Sequence, residues 1–578
     1  RDRDATRARA EGAGPLPSHQ SSRPRVMVKA YLRYEQARSF GVVASPDCAP
    51  VYDAGGKNLV CAALERLAVW DVRRGILASS LVPPPRESGA LPAVTRIARA
   101  PGSDVVAAGA SDGSIRLWNL VDGSTDVLLK GHKSEVTALR FSRDGSLLVS
   151  GGKDTNVVVW DVVAEAGLCR LRGHKGQVTD ACFVDGDNNA DTRGASASGR
   201  RLVTCSKDAT VRVWDLDTQH CAQTVSALGA EAWSLDVDAR GARLAVGTSD
   251  DRLHLFAVAG GKSTPTPKGS DSDENTDLVA AETETETATA NRNEPKAPLT
   301  REQIASSIED ASRTLTPMGH LPRADKSRAS LVRFDDDGEL LGVQTVGRAV
   351  EMYRVRNDAE MAKRRKRKAK RKREKGRDGG GGDDDANENE NVAADELELA
   401  AVVRTKAKTR GFAFAPRSRR GRPGVRAVVA VLLDNNAVEE WELEAADDAA
   451  ANDAATASAS KFAEPTRSRA LEAAGHRSDI RAVALSSDDA TLVSCSAKGA
   501  KVWDPSRGAC LRSVDGGYGL CVAFAPAGRH VVVGTKSGAL ELVDVQAGAR
   551  LRGAPDAHEG AVWGVSTLPD GSGFVSCS

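Results

Sequence analysis

A short apolar strand ending in an aromatic residue, usually followed by an acid, recurs along this 578-residue chain. The clearest copies are LAVWDV at Trp70, IRLWNL at Trp118, VVVWDV at Trp160, VRVWDL at Trp214 and AKVWDP at Trp503. Weaker copies end at Phe256, Tyr353, Trp441 and Val543. The steps 70 to 118, 118 to 160, 214 to 256 and 503 to 543 are 48, 42, 42 and 40 residues. A period of roughly 40 to 45 residues is that of a four-stranded propeller blade, which cannot bury its faces alone and must stack against copies of itself. Seven such strand ends precede residue 445. The fold expected is therefore all-β, with a seven-bladed propeller followed by the start of a second.

The full unit is visible in GHKSEVTALRFSRDGSLLVSGGKDTNVVVWD, from Gly131 to Asp161. A Gly-His pair precedes a first strand, Arg143-Asp144-Gly145 makes a turn, and Leu147 to Ser150 begins a second strand. This resembles the WD-repeat family. The resemblance implies a buried hydrogen-bonded tetrad of His132, Ser150, Asp154 and Trp160, repeated as His174, Thr204, Asp208 and Trp214. The Asp six residues before the aromatic recurs at Asp112 and Asp250, whereas Leu64, Gly347, Asn435 and Ser537 stand there in other copies. Those blades are expected to lack the tetrad and rest on sheet packing. The copy ending at Trp503 has His476 and Ser494 but a shorter turn without the Asp. Ser, His and Asp close together also invite a catalytic-triad reading. A nucleophilic serine must be exposed and activated by its base, whereas a set that repeats blade after blade beside a core Trp fits a structural role.

Charge is distributed unevenly behind a formal net of +1 from 80 Lys plus Arg and 79 Asp plus Glu. Lys363, Arg364, Arg365, Lys366, Arg367, Lys368, Lys370, Arg371, Lys372 and Arg373 belong to a run with 12 bases in the 15 residues 363–377, and nine acids without a base follow over 378–400. Such a run is a candidate for nuclear import or for RNA-phosphate contact. No aromatic interleaves it, so base stacking is not supported. A second acidic stretch holds seven acids and no base between Asp271 and Glu286. These compositions cannot offset chain entropy by burial and read as disordered insertions, at about 260–325 and 358–400.

The remaining boundaries follow from composition. Residues 1–30 read as a disordered tail, with the first Met only at Met27; residues 31–444 as the first propeller; the Ala-rich 445–472 as a linker; and 473–578 as a second propeller whose third blade stops after two strands, hence C-terminally truncated. Ring closure is expected from strand pairing near Phe40-Gly41-Val42-Val43 with the last blade. Ten cysteines without a C-x-x-C pair argue against a zinc ribbon, redox motif or disulfide framework. No apolar run reaches bilayer length, and no phosphate loop, metal-ligand cluster or paired-carboxylate site is evident. No catalytic residue, cofactor, metal, membrane contact or small-molecule substrate is expected.

A closer resemblance rests on VKAYLRYEQARSFGVVAS, LERLAVWDVRRG, LRGHKGQVTDACFV, LLDNNAVEEWEL and VVVGTKSGALELVDVQAGARL. Together these are similar to the WD repeat-containing protein 3 family, also called Utp12 or Dip2, a UTP-B component of the small-subunit processome. The family carries a Lys/Arg-rich insertion where 363–377 falls. The resemblance implies a non-catalytic nucleolar scaffold that assists pre-rRNA processing and maturation of 18S rRNA. Its implied partners are other UTP-B WD-repeat proteins, and U3 snoRNA and pre-rRNA met through phosphate contacts. Two alternatives stay open at this level: a WD-repeat adaptor of a ubiquitin ligase or chromatin complex, and a tandem-propeller cytoskeletal regulator.

Overall fold

A computed structural model describes residues 39–85, 91–125, 127–184, 200–226, 228–259, 314–357, 359–364, 366–367, 392–420, 424–445, 462–471 and 475–578. Their strands form nine four-stranded sheets and one two-stranded sheet, each a meander in chain order. Blades one to seven cover 51–81, 94–130, 136–171, 178–225, 232–322, 329–404 and 409–471. Blades eight and nine cover 482–515 and 519–554, and residues 564–577 form the two-stranded sheet.

Blade three shows why these sequences make blades. Its second strand, Leu147–Gly152, is buried throughout, and its third, Val157–Asp161, is buried except at the end. Both faces of these strands are covered by neighbouring sheets, so they read as near-continuous apolar runs. The fourth strand, Ala166–Leu171, is mostly exposed and carries little apolar pattern. Between first and second strands, Gly145 takes φ +74°, and the Asp144 carboxylate accepts from the Ser142 hydroxyl at 2.5 Å.

First strands surround the axis, each touching the next, and that of blade seven returns to that of blade one. Three threonines stitch this inner ring. Thr95 donates to the carbonyl of Val136 at 2.6 Å, Thr137 to Val178, and Thr179 to Ala232 at 2.8 Å. Their spacing of 42 and 42 residues is a repeat signal as regular as the tryptophans. Charges cross the axis as well. Arg140 Nη1 meets Asp236 Oδ1 and Arg333 Nη1 meets Asp180 Oδ2, each at 2.8 Å. Burial raises the Asp180 carboxyl, but Arg333 and Arg140 outweigh it and hold the group below its ordinary range.

Closure differs from the sequence expectation. Residues 40–43 join no sheet, and all four strands of blade seven come from 409–471. The seam is side-chain chemistry instead. Asn436 Oδ1 accepts the Val43 N–H at 2.7 Å while its Nδ2 donates to the Gly41 carbonyl at 2.9 Å. Arg469 donates to the carbonyls of Val72 and Arg73 at 3.2 and 2.6 Å.

Three expected boundaries also shift. Leu315–Pro322, Leu397–Arg404 and Thr466–Leu471 are the fourth strands of blades five, six and seven, although they lie in stretches expected to be insertion or linker. The third of these is exposed over four of its six residues, so no apolar period marks it. The expected tail at 1–30 lies outside the described residues.

Candidate functional site

The structure brings each implied tetrad together. His132 Nε2 lies 2.8 Å from Ser150 Oγ and its Nδ1 3.0 Å from Asp154 Oδ1, while Trp160 Nε1 donates to Ser150 Oγ at 2.8 Å. In blade four the same distances are 2.8 Å for His174 to Thr204, 3.0 Å for His174 to Asp208, and 2.8 Å for Trp214 to Thr204. Both histidines and both hydroxyls are buried. Such groups must satisfy one another in a low-dielectric interior. Neither hydroxyl is exposed to a substrate, so the arrangement is a brace and not a nucleophile site.

Glycine before the histidine has a steric cause. A Cβ on Gly131 would stand 2.6 Å from Trp160 Cη2. The aspartates do further work by accepting the backbone N–H of the residue after each histidine, Lys133 to Asp154 at 3.0 Å and Lys175 to Asp208 at 2.9 Å. Burial raises the Asp208 carboxyl, but bonds from the Thr210 hydroxyl, the Lys175 N–H and His174 win and lower it to about 2. His174 is itself held below its usual value by burial.

Blades without the motif improvise. In blade eight, Ser496 replaces the missing aspartate: His476 Nδ1 lies 2.7 Å from its Oγ, His476 Nε2 lies 2.6 Å from Ser494 Oγ, and Trp503 Nε1 donates to Ser494 at 2.7 Å. Blade six does not rest on sheet packing alone, contrary to expectation. Asp325 occupies the histidine position and accepts from Thr345 Oγ1 at 2.7 Å; its N–H donates to Glu351, whose other oxygen accepts from Tyr353 at 2.7 Å. Only the aromatic of this set was legible, because the carboxylates stand at positions the motif does not mark.

The basic segment is described in part. Residues 359–364 and 366–367 are helical, Met361 is buried, and Lys363, Arg364, Lys366 and Arg367 are exposed. Arg364 Nε pairs with Asp395 Oδ1 at 2.8 Å, and Arg354 with Glu360 at 2.9 Å, fixing the first turn to the blade. Arg365, Lys368, Lys370, Arg371, Lys372 and Arg373 lie outside the described residues. Among the described residues no cluster of three metal-ligating side chains occurs, and no helix is long and apolar enough to cross a membrane. All ten cysteines are free.

Residues 57–258 match the family model described as the WDR3 first beta-propeller domain. Over that span the chain is similar to the WD repeat-containing protein 3 family. Residues 468–504 match a WD domain, G-beta repeat, a span that joins the fourth strand of blade seven to the first three of blade eight. Among relatives of the chain is the U3 small nucleolar RNA-associated protein 12 of Saccharomyces cerevisiae, 28% identical over 570 residues, 96% of this chain and 52% of that protein. WD repeat-containing protein 3 of Mus musculus is 33% identical over 279 residues, 48% of this chain and 28% of its own. The human protein of that name is 34% identical over 182 residues, 32% of this chain and 17% of its own. The chain thus spans about half the length of the yeast relative it matches and less of the other two.

Proposed function

We propose that this protein is a non-catalytic scaffold of the nucleolar small-subunit processome, acting within the UTP-B subcomplex in maturation of 18S rRNA. The observation that carries the reading is the alignment of 96% of the chain with a U3 small nucleolar RNA-associated protein. The polar clusters agree with it. Each described tetrad spends its histidine, hydroxyl and carboxylate on one another, leaving a rigid disc whose surfaces are free for partners.

The partners proposed are other UTP-B WD-repeat proteins, U3 snoRNA and pre-rRNA, and the location is the nucleolus. Lys363 to Arg373 would direct nuclear import, meet RNA phosphate, or do both. Phosphate contact alone positions an RNA without reading its sequence.

The test is sedimentation of the tagged full-length protein from nuclear extract. Co-migration with a large U3-containing particle is the expected result. Enrichment with a ubiquitin ligase, chromatin complex or actin, away from U3 RNA, would overturn it.

A further inference from the structure

The meander geometry sorts the connections of the first propeller onto two faces. Turns from first to second strand and from third to fourth leave one face; turns from second to third, and the links between blades, leave the other. The long segments 185–200, 259–314, 356–396 and 445–465 all belong to the first kind. The described bases Lys363, Arg364, Lys366 and Arg367, which follow the third strand of blade six, therefore belong to that face. The opposite face is built of short connections.

On that opposite face one position repeats. The first strands of blades three, four, six and seven share the same bulge, at Val136, Val178, Ala329 and Thr409. Counting back four residues from each gives His132, His174, Asp325 and Thr405, and the next residue is in every case an exposed lysine: Lys133, Lys175, Lys326 and Lys406. Blades two and five share the bulge, at Val94 and Ala232, but carry Leu91 and Gly229 at that place. The result is two pairs of cations on adjacent blades, flanking blade five.

We propose that these four lysines form a track for the phosphate backbone of RNA, separate from the bases on the other face; this rests on the RNA-containing particle proposed above. The main chains of Lys133 and Lys175 are held, since the tetrad aspartates accept their N–H groups. The carboxylates of Asp154 and Asp208, which accept those N–H groups, and that of Asp325 are already occupied by His132, His174 and Thr345. Lysine supplies a mobile point charge that can meet phosphates at variable geometry. The charges are also spread over four blades, as a regularly charged polymer requires. Near blade five the ring of Trp233 is covered by Arg328 at 3.7 Å and Lys207 at 4.4 Å. Contact through lysine and phosphate alone is sequence-independent.

The experiment measures binding of a fluorescent oligouridylate by the full chain across a salt series. The comparison protein carries Lys133→Gln, Lys175→Gln, Lys326→Gln and Lys406→Gln together. Four lost phosphate contacts should flatten the slope of log K against log salt by about 3, at roughly 0.7 per contact on a single strand. The matching Lys→Arg protein should keep the parent slope, which separates lost charge from lost fold. An unchanged slope in the Gln protein overturns the proposal, as does displacement of the oligonucleotide by polyglutamate of equal charge, which would assign the track to an acidic protein. Particle co-sedimentation is read separately: its failure with the slope change intact would remove the processome reading and leave the track.

Discussion

The hydroxyl of Tyr52 in blade one donates to Glu440 Oε1 in blade seven at 2.9 Å, across 388 positions of the chain. Arg419 grips both oxygens of that carboxylate at 3.0 Å. This buried clasp closes a ring whose ends share no strand. Glu440→Ala strands Arg419 and Tyr52 in the seam and should cost about 3 to 5 kcal/mol, whereas Tyr52→Phe should cost about 1 kcal/mol. Urea unfolding of the two variants checks the order. A Glu440→Ala protein with the parent midpoint would remove the clasp from the account.

Ser150 serves His132 and Trp160 at once and is fully buried. Ser150→Ala should lose about 1 to 3 kcal/mol, because two buried ring nitrogens lose their partner. Blade two holds Ala108 opposite Arg116, the register that Ser150 keeps opposite Val158. The alanine variant should therefore fold, with a lower melting temperature. His132→Ala should likewise lower the melting temperature, and an unchanged one would remove the tetrad's structural role.

Acid should loosen blade eight first. Burial and then Lys501 hold His476 down to about 4, against an ordinary 6.5. The folded state thus binds this proton less readily than the unfolded one, so its stabilising contribution is complete above about 6.5 and is lost as pH falls toward 4. Hydrogen exchange at Trp503 and its strand neighbours should accelerate across that window, and His476→Gln should abolish the acceleration. Equal protection at both ends in the parent protein would sink the idea.

Gly475 sits where a Cβ would fall 1.8 Å from the Gly41 carbonyl oxygen and 2.3 Å from Asn436 Nδ2. Asn436 Nδ2 also reaches the His476 carbonyl at 3.3 Å, and Phe40 lies against Trp503 with ring centroids 5.4 Å apart. Gly475→Ala should push Asn436 away and free the Val43 amide that it accepts. Faster exchange of that amide is the expected signature; unaltered exchange would show that the joint absorbs the methyl elsewhere.

The basic run makes a cellular prediction. Replacing the bases from Lys363 to Lys375 with Gln should move the protein toward the cytoplasm, read by imaging of a fluorescent fusion. Unaltered nuclear accumulation would remove its import role while leaving phosphate contact to the binding assay.

Blade number and order were legible because the third strand of each blade is covered on both faces, and burial writes aromatic and aliphatic residues at a fixed period. Trp70, Tyr353 and Val543 all stand in third strands. Fourth strands were not legible, since one such as Thr466–Leu471 is largely solvated and can be almost any sequence. The tetrads were legible only where the motif is complete. Ser496 and Asp325 do comparable work through contacts that no spacing rule announces. Closure was misplaced because a seam of Asn436, Glu440, Arg419 and Tyr52 is assembled from residues near opposite ends of the ring, which leaves no local pattern.

The segregation of long connections to one face bears on how the molecule can be handled. A fluorophore or affinity tag inserted between the third and fourth strands of blade seven, Ala437–Glu444 and Thr466–Leu471, would leave the lysine face unobstructed. The two sides could then be presented to a surface or a partner one at a time, simply by choosing which side carries the anchor.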